Sequence, residues 1–241
     1  MATEVLLTQS DSLIVPVIRQ LLVVWQDPAS RRFIRVARLD ELEDGRYAFR
    51  YLSEAHGANF SPLVQFPDVD AVYVSDSLPA FFSNRVMSRQ RASYGDFREW
   101  LGLTVEGQDT PIEVLARTGG PRATDTFHIV DDLREIDGRR ISRFFASGVG
   151  HTAGADERLA HMLAGHRLSM RTEPDNPANQ RALLIDAEAD APVGWVPDWL
   201  VSEVHELLDS GYELNLVAER INPTAPVHLR LLCRLEARSS N

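Results

Sequence analysis

The sequence contains one cysteine and no lysine, and both absences restrict what the chain can be. The lone thiol of Cys233 excludes an internal disulfide framework and any zinc site that needs two thiolates. We therefore expect a protein of a reducing compartment, the cytoplasm. All 25 basic residues are arginines, whose planar guanidinium groups suit bidentate partners better than lysine ammonium groups do.

Positive charge is scarce along the whole chain, which has a formal net charge of −10. The part before Thr126 has 13 arginines against 17 acidic residues, and the part from Thr126 onward has 12 against 18. Neither half therefore has the basic surface of a non-specific DNA-binding protein. Any contact with nucleic acid is expected to be local and directed at an end or a shape.

Long hydrophobic runs are also absent. The segment Leu13–Trp25 is apolar, but it contains Pro16 and Arg19 and is too short to span a bilayer. The first residues lack the basic region that opens a signal peptide. We expect a soluble protein that makes no membrane contact.

No catalytic motif is present. The sequence lacks a Gly-Xaa-Ser-Xaa-Gly elbow, a phosphate-binding loop ending in Lys-Ser/Thr and a His-Glu-Xaa-Xaa-His helix. His161 and His166 are five residues apart and His151 precedes them, but no carboxylate or thiol completes a metal-ligand spacing. We expect no enzymatic activity, no metal and no cofactor.

Apolar periodicity and turn residues predict an α+β protein of two small domains, residues 1–130 and 138–241. Turn formers and charges over residues 119–141 place the boundary near 130–138. In the first domain we predict paired strands around Asp27-Pro28, a strand at 45–52, and helices at 75–88, 93–103 and 109–120. In the second we predict strands at 141–149, 166–171, 181–187, 191–197, 212–221 and 228–237, and helices at 155–165 and 198–211.

The helix at 198–211 has apolar residues on one face and a glycine stop at its end. The face comprises Leu200, Val204, Leu207 and Leu208, and the stop is Gly211. Five or six strands with two such helices predict a small, partly open β-barrel or an α+β domain.

The stretch "RTEPDNPANQRALLI" at 171–185 is unusual because it places two prolines and two asparagines between apolar runs. Pro174 and Pro177 fix two backbone φ angles, while Asp175 and Asn176 are suited to capping backbone amides. The stretch is therefore either a stiff surface turn or a rigid loop shaped to hold a ligand.

Three motifs in the second half together resemble the HIRAN domain. They are "FFASGVGH" at 144–151, "EPDNPANQRALLI" at 173–185 and "GWVPDWLVSEVHELL" at 194–208, and the resemblance covers about residues 140–238. It implies an OB-like barrel, found in bacteria alone or fused to other domains. In some DNA-remodelling ATPases such a domain grips the free 3′ end of single-stranded DNA through an aromatic ring, a carboxylate and a basic residue.

This sequence matches only some of the residues through which that family binds DNA. Asn176 matches a loop asparagine, while Ala178 stands in place of a stacking tyrosine and Asn179 in place of an aspartate. His151 occupies the other aromatic position, and Trp195 replaces a histidine or tyrosine and could stack on a base. The resemblance thus implies weak DNA binding. We add Arg140, Arg143 and Arg181, with Arg139, as candidate phosphate contacts.

The first half resembles the N-terminal subdomain of HipA-type toxin kinases over about residues 20–128. The matching features are Gly45, Tyr47, Phe49, Tyr51, Pro62-Leu63, Phe81-Phe82, Asn84 and "PIEVLARTGG". These are scaffold residues, and nothing after residue 130 resembles the kinase core. In split versions of that system the subdomain is a separate chain that binds its kinase.

Two hypotheses of function follow, from different classes. The first is a non-catalytic DNA-recognition or recruitment factor that binds single-stranded or distorted DNA, or its ends, for a partner enzyme in DNA repair or phage defence. The alternative is a protein-binding regulator or scaffold, such as a toxin–antitoxin or defence-complex subunit, in which DNA binding is lost. The partner would be a helicase, a nuclease or a kinase-core subunit. A third alternative is an enzyme whose site has no known motif.

The lone cysteine and the missing phosphate-binding loop generate the first prediction. We expect the purified protein to contain no zinc and to hydrolyse no nucleotide. Elemental analysis that finds one zinc atom per chain, or release of phosphate from ATP above a buffer blank, would contradict it.

Overall fold

The computed structural model describes residues 5–7, 15–57, 59–105, 107–132, 134–136 and 139–239 of the 241-residue chain. The chain divides into two compact units. One comprises residues 1–91 and 107–132, and the other comprises residues 92–106 and 133–241. Residues 92–106 lie within the range that the sequence assigns to the N-terminal domain, but they group with the second unit.

The first unit is built on an antiparallel sheet. The strands described in it are β1 (Val5–Leu7), β2 (Val17–Gln26), β3 (Phe33–Leu42), β4 (Tyr47–Tyr51), β5 (Val72–Ser75) and β6 (Phe127–Asp131). They pair in the order β1-β5-β4-β3-β2-β6. The predicted hairpin around Asp27 is confirmed, since the Asp27 carboxylate accepts bonds from the amide of Ala29 at 3.0 Å and the hydroxyl of Ser30 at 2.6 Å.

Three short helices precede residue 120: α1 (Ala80–Ser83), α2 (Tyr94–Trp100) and α3 (Pro111–Thr118). The predicted helix at 75–88 was too long, because Ser75 ends β5 and Pro79 directly precedes the single turn of α1. Interpreting 119–141 as a linker missed β6, which pairs with β2 along the edge of the sheet. α3 was predicted correctly, with Thr110 capping its start and Gly119 ending it at φ +73°.

The core of the first unit is aromatic. Phe49 and Phe66 stack with their ring centroids 4.0 Å apart, and Phe82 packs beside both. The Tyr51 hydroxyl donates to the Phe66 carbonyl at 2.8 Å and accepts from the Leu63 amide at 2.8 Å. Burial raises the pKa of Tyr51 to about 12. Through these two hydrogen bonds, Tyr51 anchors the loop of residues 63–66 to β4.

Besides α2, the second unit contains a curled antiparallel sheet with two further helices packed on it. Its described strands are β7 (Arg134–Ile136), β8 (Arg139–Phe145), β9 (Arg167–Thr172), β10 (Leu183–Asp186), β11 (Pro192–Trp195), β12 (Tyr212–Ile221) and β13 (Leu231–Ser239), and the two further helices are α4 (Ala155–His161) and α5 (Asp198–Asp209). The strand order is β11-β10-β9-β12-β13-β8-β7 among the described residues.

One residue pair joins β11, an edge strand of this sheet, to the segment that follows β8. Ser147, just beyond β8, pairs with Trp195 at the end of β11. The Ser147 amide donates to the Trp195 carbonyl at 2.8 Å, and the Trp195 amide donates to the Ser147 carbonyl at 2.9 Å. Because β8 also pairs with β13, these two bonds connect β11 with β8 and close the curl. The result is a partly open barrel that is joined at one point.

The barrel core is aliphatic and includes one face of α5. Leu200, Val204 and Leu207 are buried as predicted, but Leu208 is 46% exposed and Val201 takes its place in the core. The buried face of α5 is therefore rotated by part of a turn relative to the face predicted from the sequence. None of the helices in the described part of the chain is long and apolar enough to cross a membrane.

Helix α2 is tied to the barrel by a buried asparagine. The side-chain amide of Asn222 donates to the carbonyl oxygen of Trp100 at 2.9 Å and to that of Leu229 at 2.8 Å. The carbonyl at the end of α2 is thereby satisfied by a residue of the barrel, as a buried polar group requires.

The closing pair requires a glycine at position 194. Its φ is +151°, and a Cβ there would lie 2.7 Å from the Ser147 carbonyl oxygen. We expect Gly194→Ala to lower the free energy of unfolding by roughly 2–4 kcal/mol in urea titrations. Gly211→Ala is the matched control, because φ is +78° there but nothing lies within 4 Å, and it should cost about 1 kcal/mol. Equal losses would show that the contact with Ser147 is unimportant.

Candidate nucleic-acid interface

Five of the eight candidate residues named from the sequence lie at one end of the barrel. The chain beyond Ser147 turns at Gly148 into a 3₁₀ turn, Val149–His151, that carries His151. The β9–β10 loop carries Asn176, Asn179 and Arg181, and β11 ends at Trp195. Hydrogen bonds and close contacts join these three segments, so the barrel closure brings together residues that are far apart in sequence.

The β9–β10 loop is held by its own asparagines. The Asn176 side-chain oxygen accepts from the amides of Ala178 at 3.0 Å and Asn179 at 3.2 Å. The Asn179 side-chain oxygen accepts from the Arg181 amide at 2.9 Å. The sequence predicted such caps at Asp175 and Asn176, but the second cap is Asn179.

The loop is also fixed to helix α5. The Asn179 side-chain amide donates to the Asp198 carboxylate at 3.0 Å, and the His205 ring donates through Nε2 to the Arg181 carbonyl at 2.9 Å. Because a carbonyl oxygen only accepts, Nε2 must carry the proton in this bond. The loop therefore has little freedom to rearrange around a ligand.

The indole ring of Trp195 is held at two of its edges, one at Nε1 and one at Cε3 and Cζ3. Its Nε1 donates to the Glu173 carboxylate at 2.7 Å. A Cβ at position 148 would lie 2.4 Å from the ring atom Cε3, so Gly148, at φ +66°, packs directly against the ring. The side chain is half-buried and retains exposed surface. The ring is thus held in one orientation with part of its surface exposed.

Glu173 connects the loop with the indole. One of its carboxylate oxygens accepts from Asn176 Nδ2 at 2.6 Å as well as from Trp195 Nε1. These two hydrogen bonds hold the pKa of Glu173 below its ordinary value of 4.5, because they stabilise the ionised form. The clamp therefore places a negative charge beside the ring.

Charges of both signs are exposed on the segments that meet at this end of the barrel. Arg181 and His151 are exposed, and the Arg181 guanidinium contacts no acceptor among the described residues. Asp175 and Asp198 are exposed at the same loop and at the start of α5. The surface can accept one phosphate at Arg181, but it is not a continuous basic groove.

Arg140 and Arg143 are not part of this surface. Arg140 lies at the start of β8, about 23 Å from Ser147 at ~3.3 Å per residue, with its guanidinium 5.3 Å from the centroid of the Tyr212 ring. Arg143 Nε donates to both carboxylate oxygens of Glu219, at 2.9 and 2.8 Å. Their guanidinium groups are engaged within the barrel.

The described residues form no metal-binding cluster, and the thiol of Cys233 is buried among them. No group of three or more histidine, cysteine, aspartate or glutamate residues there could hold a metal ion. Cys233 is fully buried, and burial raises the pKa of its thiol, which keeps it protonated and unreactive.

Sequence reasoning missed the contacts made by Gly148 and Glu173. Both lie inside motifs that the sequence singled out, but nothing local indicates that they contact Trp195, which follows 47 and 22 positions later. Only the barrel closure, which brings both positions against the end of β11, indicates these contacts.

Comparisons with known proteins leave the family open. No family model and no curated protein matches the sequence. Among solved structures, the HIRAN domain of human HLTF is similar at a TM-score of 0.33 and 12% identity, over 44% of this chain and 84% of that chain. A protein from Lactobacillus plantarum is similar at a TM-score of 0.34 and 14% identity, over 42% and 97%.

The Glu173 clamp predicts a pH-dependent indole signal. Ionised Glu173 favours the folded state, so its contribution is complete above about pH 4.5 and is lost as the pH falls through the lower folded pKa. We expect the Trp195 Nε1–H resonance to titrate with a midpoint below 4.5 in NMR spectra, and not to titrate in Glu173→Gln. The Trp199 indole resonance serves as the reference for unfolding. A midpoint at or above 4.5 would contradict the clamp.

Proposed function

We propose that this protein is a non-catalytic DNA-recruitment factor whose barrel binds single-stranded or distorted DNA, or its ends. The supporting observation is the fixed indole of Trp195 at the end of the barrel whose connecting segments also carry the exposed side chains of Arg181 and His151. The bound DNA would be presented to a partner enzyme, a helicase or nuclease, in cytoplasmic DNA repair or phage defence.

Stacking supplies the affinity in this proposal. A base stacked on an aromatic side chain contributes about 1–3 kcal/mol and does not require a particular base. Because Gly148 and Glu173 already fix the Trp195 ring, binding loses little side-chain entropy at that position. A half-buried, fixed ring at an open barrel end therefore favours contact with an unpaired base.

Phosphate contact is limited to one side of the surface. Arg181 can neutralise one phosphate, and Asp175 and Asp198 repel the others. One phosphate contact with single-stranded DNA gives a slope of about −0.7 when log K is plotted against log salt concentration. The proposed binding is therefore weak and only moderately sensitive to salt.

The resemblance of the 173–208 region to HIRAN domains supports the same proposal and limits it. Ala178 offers no ring for a second base. Asn179 is neutral and its side-chain amide is bound to Asp198, so no charged carboxylate stands at that position to accept from a 3′ hydroxyl. We infer that the site distinguishes poorly between a free and a phosphorylated 3′ end.

A protein-binding regulator or scaffold is the second candidate function. It is favoured by the Glu173 carboxylate against the indole, by the exposed Asp175 and Asp198 on the adjoining loop and helix, and by the net charge of −10. An aromatic ring with a carboxylate at its edge also suits a basic segment of a protein. The resemblance of residues 20–128 to a HipA-type subdomain adds a kinase-core subunit to the partners of this candidate.

The DNA proposal predicts weak binding that depends on Trp195. Fluorescence anisotropy of labelled single-stranded oligonucleotides in low salt should show binding that Trp195→Ala weakens about tenfold, as the loss of one stacked base implies. Oligonucleotides with free and phosphorylated 3′ ends should bind within about twofold of each other. No binding in low salt would reject the DNA proposal in favour of the protein-binding one.

Arg181 provides the matched test of the phosphate contact. Arg181→Ala should reduce the magnitude of the slope of log K against log salt concentration by about 0.7, which is the contribution of one phosphate to single-stranded binding. Arg139→Ala removes another exposed charge, at the start of β8 and away from this end of the barrel, and should leave the salt dependence unchanged. Equal effects of the two variants would show that binding follows net charge rather than this surface.

A further inference from the structure

A second concave site lies on the barrel unit and shares no residue with the candidate interface. It is an open cavity of about 340 Å³ between α4 and the turn that joins β10 to β11. This volume is at the lower end of the range for small-ligand sites. Nothing in the proposed DNA contact uses this cavity.

The cavity has an apolar floor and one rigid wall. Met162, Ala187 and Ala191 supply apolar surface, and Met162 is only 9% exposed. The Arg158 guanidinium donates through one nitrogen to the carbonyl oxygens of Ala153 at 2.7 Å and Pro192 at 2.8 Å. Arg158 therefore holds the two sides of the cavity together.

Two histidines, His161 and His166, line the cavity, and a backbone contact fixes the ring of His166. Nε2 of His166 bonds to the Ala187 carbonyl at 2.9 Å, and it must donate because a carbonyl oxygen only accepts. In a neutral ring this leaves Nδ1 as an acceptor. The backbone contact thus fixes both the ring and its hydrogen-bonding character.

Two carboxylates lie on opposite sides of the same space. Glu157 belongs to α4 and Glu188 to the β10–β11 turn, and neither contacts a hydrogen-bond donor within the described part of the chain. They outnumber the single guanidinium of Arg158. The two carboxylates therefore supply the cavity with free acceptors above its apolar floor.

We propose that this cavity binds a guanidinium or primary ammonium group carried on a short apolar stem. The cationic head would donate to Glu157 and Glu188, and the stem would lie on Met162. The net charge of −10 favours the approach of a cation. A free amine and a basic side chain of a partner protein share this chemistry. The site is independent of the DNA contact, so either one can fail alone.

The test uses N-acetyl-L-argininamide as the probe and its neutral isostere N-acetyl-L-citrullinamide as the control. Binding is followed by NMR shifts of the Ala187 and Ala191 methyl groups and by calorimetry. We expect saturable binding of the arginine probe alone. Glu188→Gln and Glu157→Gln should each weaken it about tenfold, since a hydrogen bond to a charged group contributes roughly that factor.

Glu206→Gln is the matched control, because Glu206 is exposed on α5 and does not line the cavity. It should change the affinity by less than about twofold, as a surface charge outside the site does. Equal binding of the citrulline compound, no saturable binding of the arginine probe, or no effect of either cavity variant would each overturn the proposal.

Two further probes distinguish the sources of the cation. Leu163 follows Met162 and is 78% exposed, so it can contact an apolar neighbour of a bound basic residue. If acetyl-Gly-Arg-Leu-amide binds more tightly than agmatine and loses that advantage in Leu163→Ser, the ligand is a protein segment. If agmatine binds as tightly or more tightly, the ligand is a free amine. Either result supports the cation site.

Discussion

The pairing of Ser147 with Trp195 is the interaction on which the second unit depends. Two backbone hydrogen bonds convert a curled sheet into a barrel, and they do so next to every loop of the candidate interface. The pairing requires glycine at position 194 for close approach and glycine at position 148 for the indole. Trp195 thus closes the fold through its backbone and supplies the proposed stacking surface through its side chain. The stability of the fold and the proposed binding therefore cannot vary independently at this residue.

Local signals predicted the parts of the fold that local chemistry decides. The hairpin at Asp27, the capped helix α3 and the span of α5 follow from turn residues, caps and apolar spacing within a few positions. The rigid loop also follows, because prolines and asparagines act on their own backbone. The sequence likewise identified five residues that share one end of the barrel, since they belong to motifs flanking its strands.

Non-local contacts decided the rest. β6 becomes a strand because β2 offers it an edge, although its own segment is rich in turn formers. Arg143 is bound to Glu219, a residue 76 positions away that no pattern around Arg143 indicates. The link from Glu173 to Trp195 and the inclusion of α2 in the second unit depend likewise on partners that only the tertiary fold supplies.

The inclusion of residues 92–106 in the second unit has a consequence for synthesis on the ribosome. The bond from Asn222 to the Trp100 carbonyl joins residues 122 positions apart. At about 5–20 residues per second, the end of α2 waits roughly 6–25 s for that partner. Phe97 and Leu101, which are buried in the finished protein, belong to the part of the chain that must wait. A nascent chain of this protein therefore presents apolar side chains to chaperones after most of the first unit has emerged.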